Sequence, residues 1–169
     1  MIDIKRKLKD FGPLELLVIS SIIYVIVMIS WTISTRSEVL QKSNDVKFNH
    51  KIVVDFINNE INNCSSNNKK LTSWGENCND VWTSTKIVEF IIANINLKNP
   101  YLINKPLIQI SQDPRIQAEG KAGQSTDKGI IFVSSNNFES EAGSEWIVGT
   151  CIKSPCVAAG NNELVSVYR

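Results

Sequence analysis

Between Leu14 and Ile33 the chain reads LELLVISSIIYVIVMISWTI, twenty positions with a single charge, Glu15, and neither glycine nor proline. At 1.5 Å rise per residue such a run makes about 30 Å of helix, the thickness of a bilayer's hydrocarbon core. The pattern predicts one membrane span. A cleaved secretory signal would carry a shorter apolar region and a small-residue exit of the Ala-x-Ala kind. This run leaves instead through Trp31-Thr32-Ile33-Ser34-Thr35-Arg36.

Beyond the span, no glycine or proline interrupts the sequence before Cys64, and seven of the eight glycines follow residue 74. Nothing there instructs a helix to stop at the membrane surface. The outer half, TRSEVLQKSNDVKFNHKIVVDFINNEINN, is polar on balance but keeps Val46, Ile52, Val53, Phe56, Ile57 and Ile61 at helical intervals. That is one apolar stripe on an amphipathic helix. The expectation is a continuous helix of about fifty residues, roughly 75 Å long, with its first half in lipid and its second carrying a globular head. The competing layout is two helices with a break near Ser43-Asn44-Asp45.

After Cys64 the texture becomes polar and turn-forming, SSNNKKLTSWGENCND. A second helix is expected next, capped by Asn79, Asp80 or a nearby hydroxyl. It carries Trp82, Ile87, Val88, Phe90, Ile91 and Ile95 and ends at Asn99-Pro100, because the residue before a proline avoids the helical region. Four short apolar runs follow, at 107–110, 130–134, 146–152 and 164–168, with lengths and β-branched content that suit strands of one antiparallel meander. A polar loop, DPRIQAEGKAGQSTDKG, separates the first two. The predicted class is α+β: a long N-terminal helix, transmembrane in its first half, packed on a small antiparallel sheet of about four strands. Trp74, Trp82 and Trp146 are expected in the core of the head.

Charge then orients the span. Lys5, Arg6, Lys7 and Lys9 crowd the first ten residues, and no comparable cluster follows the apolar run. Residues 1–10 therefore form a basic leader that stays cytoplasmic, 11–34 a transmembrane helix, and 35–169 an exported head that includes the outer half of the long helix. Beyond residue 10 the charges balance, which removes the electrostatic case for a nucleic-acid partner.

Four cysteines agree with export, since an oxidising compartment lets an even number close into disulfides. Of the three possible pairings, the local ones are favoured: Cys64 with Cys78, and Cys151 with Cys156, each closing a short loop. With one histidine, His50, and no Cys-x-x-Cys spacing, neither a metal site nor a thioredoxin-type motif is expected, and no cofactor is implied. A Gly-x-Ser-x-Gly elbow and a phosphate loop are both lacking, so the chain is not expected to be an enzyme.

The basic leader, then Phe11-Gly12-Pro13-Leu14-Glu15-Leu16-Leu17-Val18, then the uninterrupted helix and the β-rich remainder resemble a type IV pilin or a pseudopilin of the related secretion systems. The family's pattern is a glycine, a cleavage point, a phenylalanine, and a glutamate at the fifth mature position ahead of an apolar run. Phe11 and Glu15 stand in that relation, while Asp10 occupies the place of the glycine. The sequence likeness is confined to about the first thirty residues. The resemblance implies a filament subunit inserted in a bacterial inner membrane, cut between Asp10 and Phe11 by a prepilin peptidase, and polymerised with copies of itself or other pilins by inner-membrane assembly machinery. It gives Glu15 a role in assembly, pairing with a neighbouring subunit's N-terminus.

Glu15 also has a plainer reading, as a carboxylate at a helix start that faces interfacial water and is favoured by the helix dipole. Ser20 and Ser21 permit close helix approach, and Tyr24 and Trp31 suit packing and interfacial anchoring. The rival to a filament subunit is a single-pass membrane-anchored extracytoplasmic binding or assembly protein, in which the same helix is only a tether.

Overall fold

The computed structural model describes residues 12–66, 69–102, 104–111, 128–135 and 142–169. The chain divides after Gln41 into two compact units. One uninterrupted helix, α1 (Pro13–Ser66, 54 residues), includes residues on both sides of that division. No break occurs at Ser43-Asn44-Asp45, in keeping with a run that holds no helix breaker.

Within the second unit, α1 buries Val46, Val53, Val54, Ile57 and Ile61 at helical spacing. Ile52 and Phe56 stand half-buried at the border of this stripe. Three polar residues, Asn49, His50 and Glu60, share the buried face. The chain continues through a loop to β1 (Trp82–Thr83), α2 (Ser84–Asn94), β2 (Ile108–Ile110), β3 (Ile131–Ser135), β4 (Ala142–Gly143), β5 (Glu145–Cys151) and β6 (Asn162–Tyr168).

The main sheet has the order β2-β3-β5-β6. Its β3-β5 and β5-β6 pairs are antiparallel, but β2 runs parallel to β3, with Ile108 opposite Ile131. The sheet is therefore mixed, and the expectation of a purely antiparallel meander is corrected. Parallel neighbours need a long connection between them, and the twenty residues from β2 to β3 supply one. The α+β layout stands.

The start of α2 is a second correction. Trp82 lies in β1, paired antiparallel with β4, and the helix begins only at Ser84. Neither Asn79 nor Asp80 is its cap. Thr83 holds the N-cap position with extended backbone and makes no side-chain capping bond, because its hydroxyl and its amide both donate to the Glu76 carboxylate, each at 3.2 Å. The helix stops at Asn94, five residues before Asn99. Asn99 instead organises the following turn: its side-chain oxygen accepts from the amides of Tyr101 and Leu102, and its Nδ2 donates to the Lys128 carbonyl.

The core joins the α1 stripe to Ile87, Val88 and Ile91 of α2 and to one face of the sheet, Ile131, Val133, Val148 and Val167 among them. Trp82 and Trp146 are fully buried, with ring centroids 5.3 Å apart. Trp74 meets Trp82 edge-on at 5.1 Å and packs against the same core. Disulfides Cys64–Cys78 and Cys151–Cys156 close two loops, the first tying the end of α1 to the segment before β1.

Candidate membrane and assembly helix

The chemistry singled out in the sequence lies at the start of α1. Gly12 is its N-cap: the glycine carbonyl accepts the first helical hydrogen bond, from Leu16 N–H at 3.1 Å. Pro13 takes the first helical position, where its fixed φ suits the helix and its missing N–H costs nothing. Glu15 then reaches back from the third helical position, and its Oε2 accepts the Gly12 amide at 3.0 Å. This is the glutamate half of a capping box, and it places the negative charge where the helix dipole favours it.

The sequence marks Glu15 because it is the lone charge in an apolar run. Sequence reasoning missed Gly12 and Pro13 as the elements that position it, although Gly-Pro-x-Glu ahead of an apolar run carries that signal. Asp10 and Phe11, the residues of the expected cleavage point, lie outside the described residues, as does the basic leader.

From Leu14 to Ile33 the large apolar side chains are exposed, Leu14 at 77 % and Trp31 at 72 %. A contiguous apolar surface of this extent is unstable in water and marks a membrane or packing face. Among the described residues, α1 is the one helix long and apolar enough to cross a membrane.

Three hydroxyls within the run, those of Ser20, Ser21 and Thr32, bond back to the helix itself. Ser20 and Ser21 donate to the carbonyls of Leu17 and Val18 at 2.9 and 2.7 Å, and Thr32 donates to Met28 at 2.8 Å. Each hydroxyl thus keeps its donor satisfied without water, as a hydrocarbon environment requires.

The far end of α1 is held by a different carboxylate. Glu60 accepts the Ser73 hydroxyl at 2.6 Å, the Ser73 amide at 3.0 Å and the Lys69 ammonium at 3.2 Å. Burial pushes its carboxyl up, but the two Ser73 bonds and Lys69 outweigh burial and hold it below the usual range. Glu76 has a similar role in the loop that follows, accepting Trp74 Nε1 at 2.7 Å and pairing with Lys86 at 3.3 Å. Both carboxylates serve the architecture of the head. The four cysteines, brought together in two pairs, do so as well.

Set against family models, curated proteins and solved structures, the chain matches none of them.

Proposed function

We propose that the protein is a structural subunit of a type IV pilus or related pilus-like filament, inserted in the inner membrane through α1 with its head outside the cytoplasm, and polymerised through the same helix. The observation that supports this reading most is the combination, on one unbroken helix of 54 residues, of an exposed apolar first half and a single carboxylate at its start. A tether needs the apolar run but not the charge. A filament subunit uses both: the run packs against its copies once it leaves lipid, and Glu15 meets a neighbour's cationic N-terminus. A buried charge is tolerated only when paired, which makes the pair a device for fixing axial register.

Cleavage before Phe11 supplies that partner, because it exposes an α-amine, cationic at neutral pH, four residues from Glu15. The partners implied are copies of the chain or other pilins, a prepilin peptidase and the inner-membrane assembly machinery.

One observation favours the second reading, a membrane-anchored binding or assembly protein that does not polymerise. The Glu15 carboxylate already has a partner in its own chain, the Gly12 amide. The substitution Glu15→Ala separates the two. It removes a capping interaction of about 1 kcal/mol, too little to prevent insertion. The filament reading predicts normal membrane levels and loss of the variant from sheared filaments. Equal incorporation of variant and wild type would sink the register role.

A further inference from the structure

The main sheet ends in β6, seven residues long, and no strand lies on its far side among the described residues. Its ladder with β5 is continued at the two ends by bonds from Arg169 N–H to the Ser144 carbonyl and from Ile152 N–H to the Asn161 carbonyl. Bonding residues alternate along an antiparallel pair, so Glu163, Val165 and Val167 are the ones that bond to β5. Asn162, Leu164, Ser166 and Tyr168 therefore turn their backbone N–H and C=O outward, and among the described residues no backbone bond meets them.

Proteins shield such edges with proline, lysine, a bulge or a covering strand. The run NELVSVY holds neither proline nor lysine, and its pairing with β5 is continuous, without a bulge. Its side chains divide by face. Val165 and Val167 belong to the core on one side of the sheet, so Leu164, Ser166 and Tyr168 occupy the other, where Leu164 is 37 % and Tyr168 67 % exposed. On the core side, Lys47 and Lys51 of α1 border β6 beside Glu163. Two ammonium groups against one carboxylate make that flank of the edge positive.

We infer that the β6 edge is a strand-addition site for an extended segment of a partner protein in which apolar and acidic residues alternate. The partner's main chain bonds to the outward groups of Leu164, Ser166 and Tyr168. Its apolar side chains lie beside Leu164 and Tyr168 on one face, and its carboxylates fall on the other, toward Lys47 and Lys51. The surface uses no residue of the apolar run, so it goes beyond the filament reading and does not depend on it.

The probe is a blocked, fluorescein-labelled heptapeptide of alternating valine and glutamate. It is titrated by fluorescence anisotropy against the full-length protein in lipid nanodiscs, with empty nanodiscs as the blank. Saturable binding is expected, about tenfold tighter than for the same peptide with lysine in place of glutamate. Ser166→Pro deletes one outward N–H and keeps the bonds to β5, because proline is tolerated where an edge strand's N–H faces solvent. It is expected to weaken binding about tenfold, whereas Ser166→Thr, which retains that N–H, binds as the wild type does. Lys51→Glu, an exposed substitution on α1 that leaves the strand untouched, is also expected to weaken binding about tenfold. Absence of saturable binding, equal binding of the lysine peptide, equal affinities in Ser166→Pro and Ser166→Thr, or unchanged affinity in Lys51→Glu would each overturn the proposal. Self-association that Ser166→Pro abolishes, with no peptide bound, would overturn it too and assign the edge to a second copy.

Discussion

Ser73 donates two hydrogen bonds to Glu60, from its hydroxyl at 2.6 Å and from its amide at 3.0 Å. One carboxylate near the end of α1 thereby fixes the loop that the Cys64–Cys78 disulfide also tethers. Glu60→Gln is expected to destabilise the head by about 1 to 3 kcal/mol, because a buried amide replaces a carboxylate that serves three donors. Because the folded-state pKa lies below its ordinary value of 4.5, the stabilisation is complete above that value. It is lost as pH falls through the lowered folded pKa. Denaturant unfolding of wild type and variant across the acid range measures both effects.

His50 predicts a second pH dependence, in a higher window. Burial pushes its pKa down from 6.5 to about 4, so between those values the unfolded chain binds a proton that the folded head refuses. Stability is complete above about pH 6.5 and falls as pH drops toward 4, by about 3 kcal/mol in all. Glu163, pushed up by burial and drawn down by Lys47, acts in the opposite sense. Comparing wild type with His50→Leu isolates the histidine: the slope between pH 6.5 and 5 should disappear in the variant. A slope that persists unchanged contradicts the buried, unpaired imidazole.

Gly129 has φ +75°, and a Cβ built there would stand 2.5 Å from the Asn99 side-chain oxygen that anchors the turn before β2. Gly75 has a similar φ, +87°, with open space around it. Both alanine substitutions strain the backbone, but only Gly129→Ala also displaces a hydrogen-bonded side chain. The expected losses are about 1 kcal/mol for Gly75→Ala and about 2 to 3 kcal/mol for Gly129→Ala. Thermal unfolding of the two variants side by side gives the ordering, and equal losses would remove the special role of Asn99.

The elements visible in the sequence are those written in long or dense local signals. The apolar run and the absence of any breaker before Cys64 predict α1, and the four β-branched runs locate β2, β3, β5 and β6 to within about two residues. Direction is not legible, because side-chain pattern is the same for a parallel and an antiparallel neighbour. Trp82 reads as helical since its spacing to later apolar residues fits a helix. Its strand depends on β4, some sixty residues away, and on Glu76 occupying the Thr83 hydroxyl. Asn49, His50 and Glu60 fall outside the apolar stripe read from the sequence because each is polar, yet all three are buried; distant groups, Ser73 for Glu60 and the Lys98 carbonyl that accepts from Asn49, partner two of them. At the candidate site the charge of Glu15 is conspicuous, while the Gly12 cap that holds it is written in residues with no charge to draw notice.

Under the proposed function, α1 assembles as well as anchors. Filaments sheared from the surface of cells that make this protein, analysed by intact mass, test it most directly. A filament subunit is expected there as a main component, beginning at Phe11 and with both disulfides closed. Its confinement to the membrane fraction, with Met1 to Asp10 retained, would contradict the claim and leave α1 a tether.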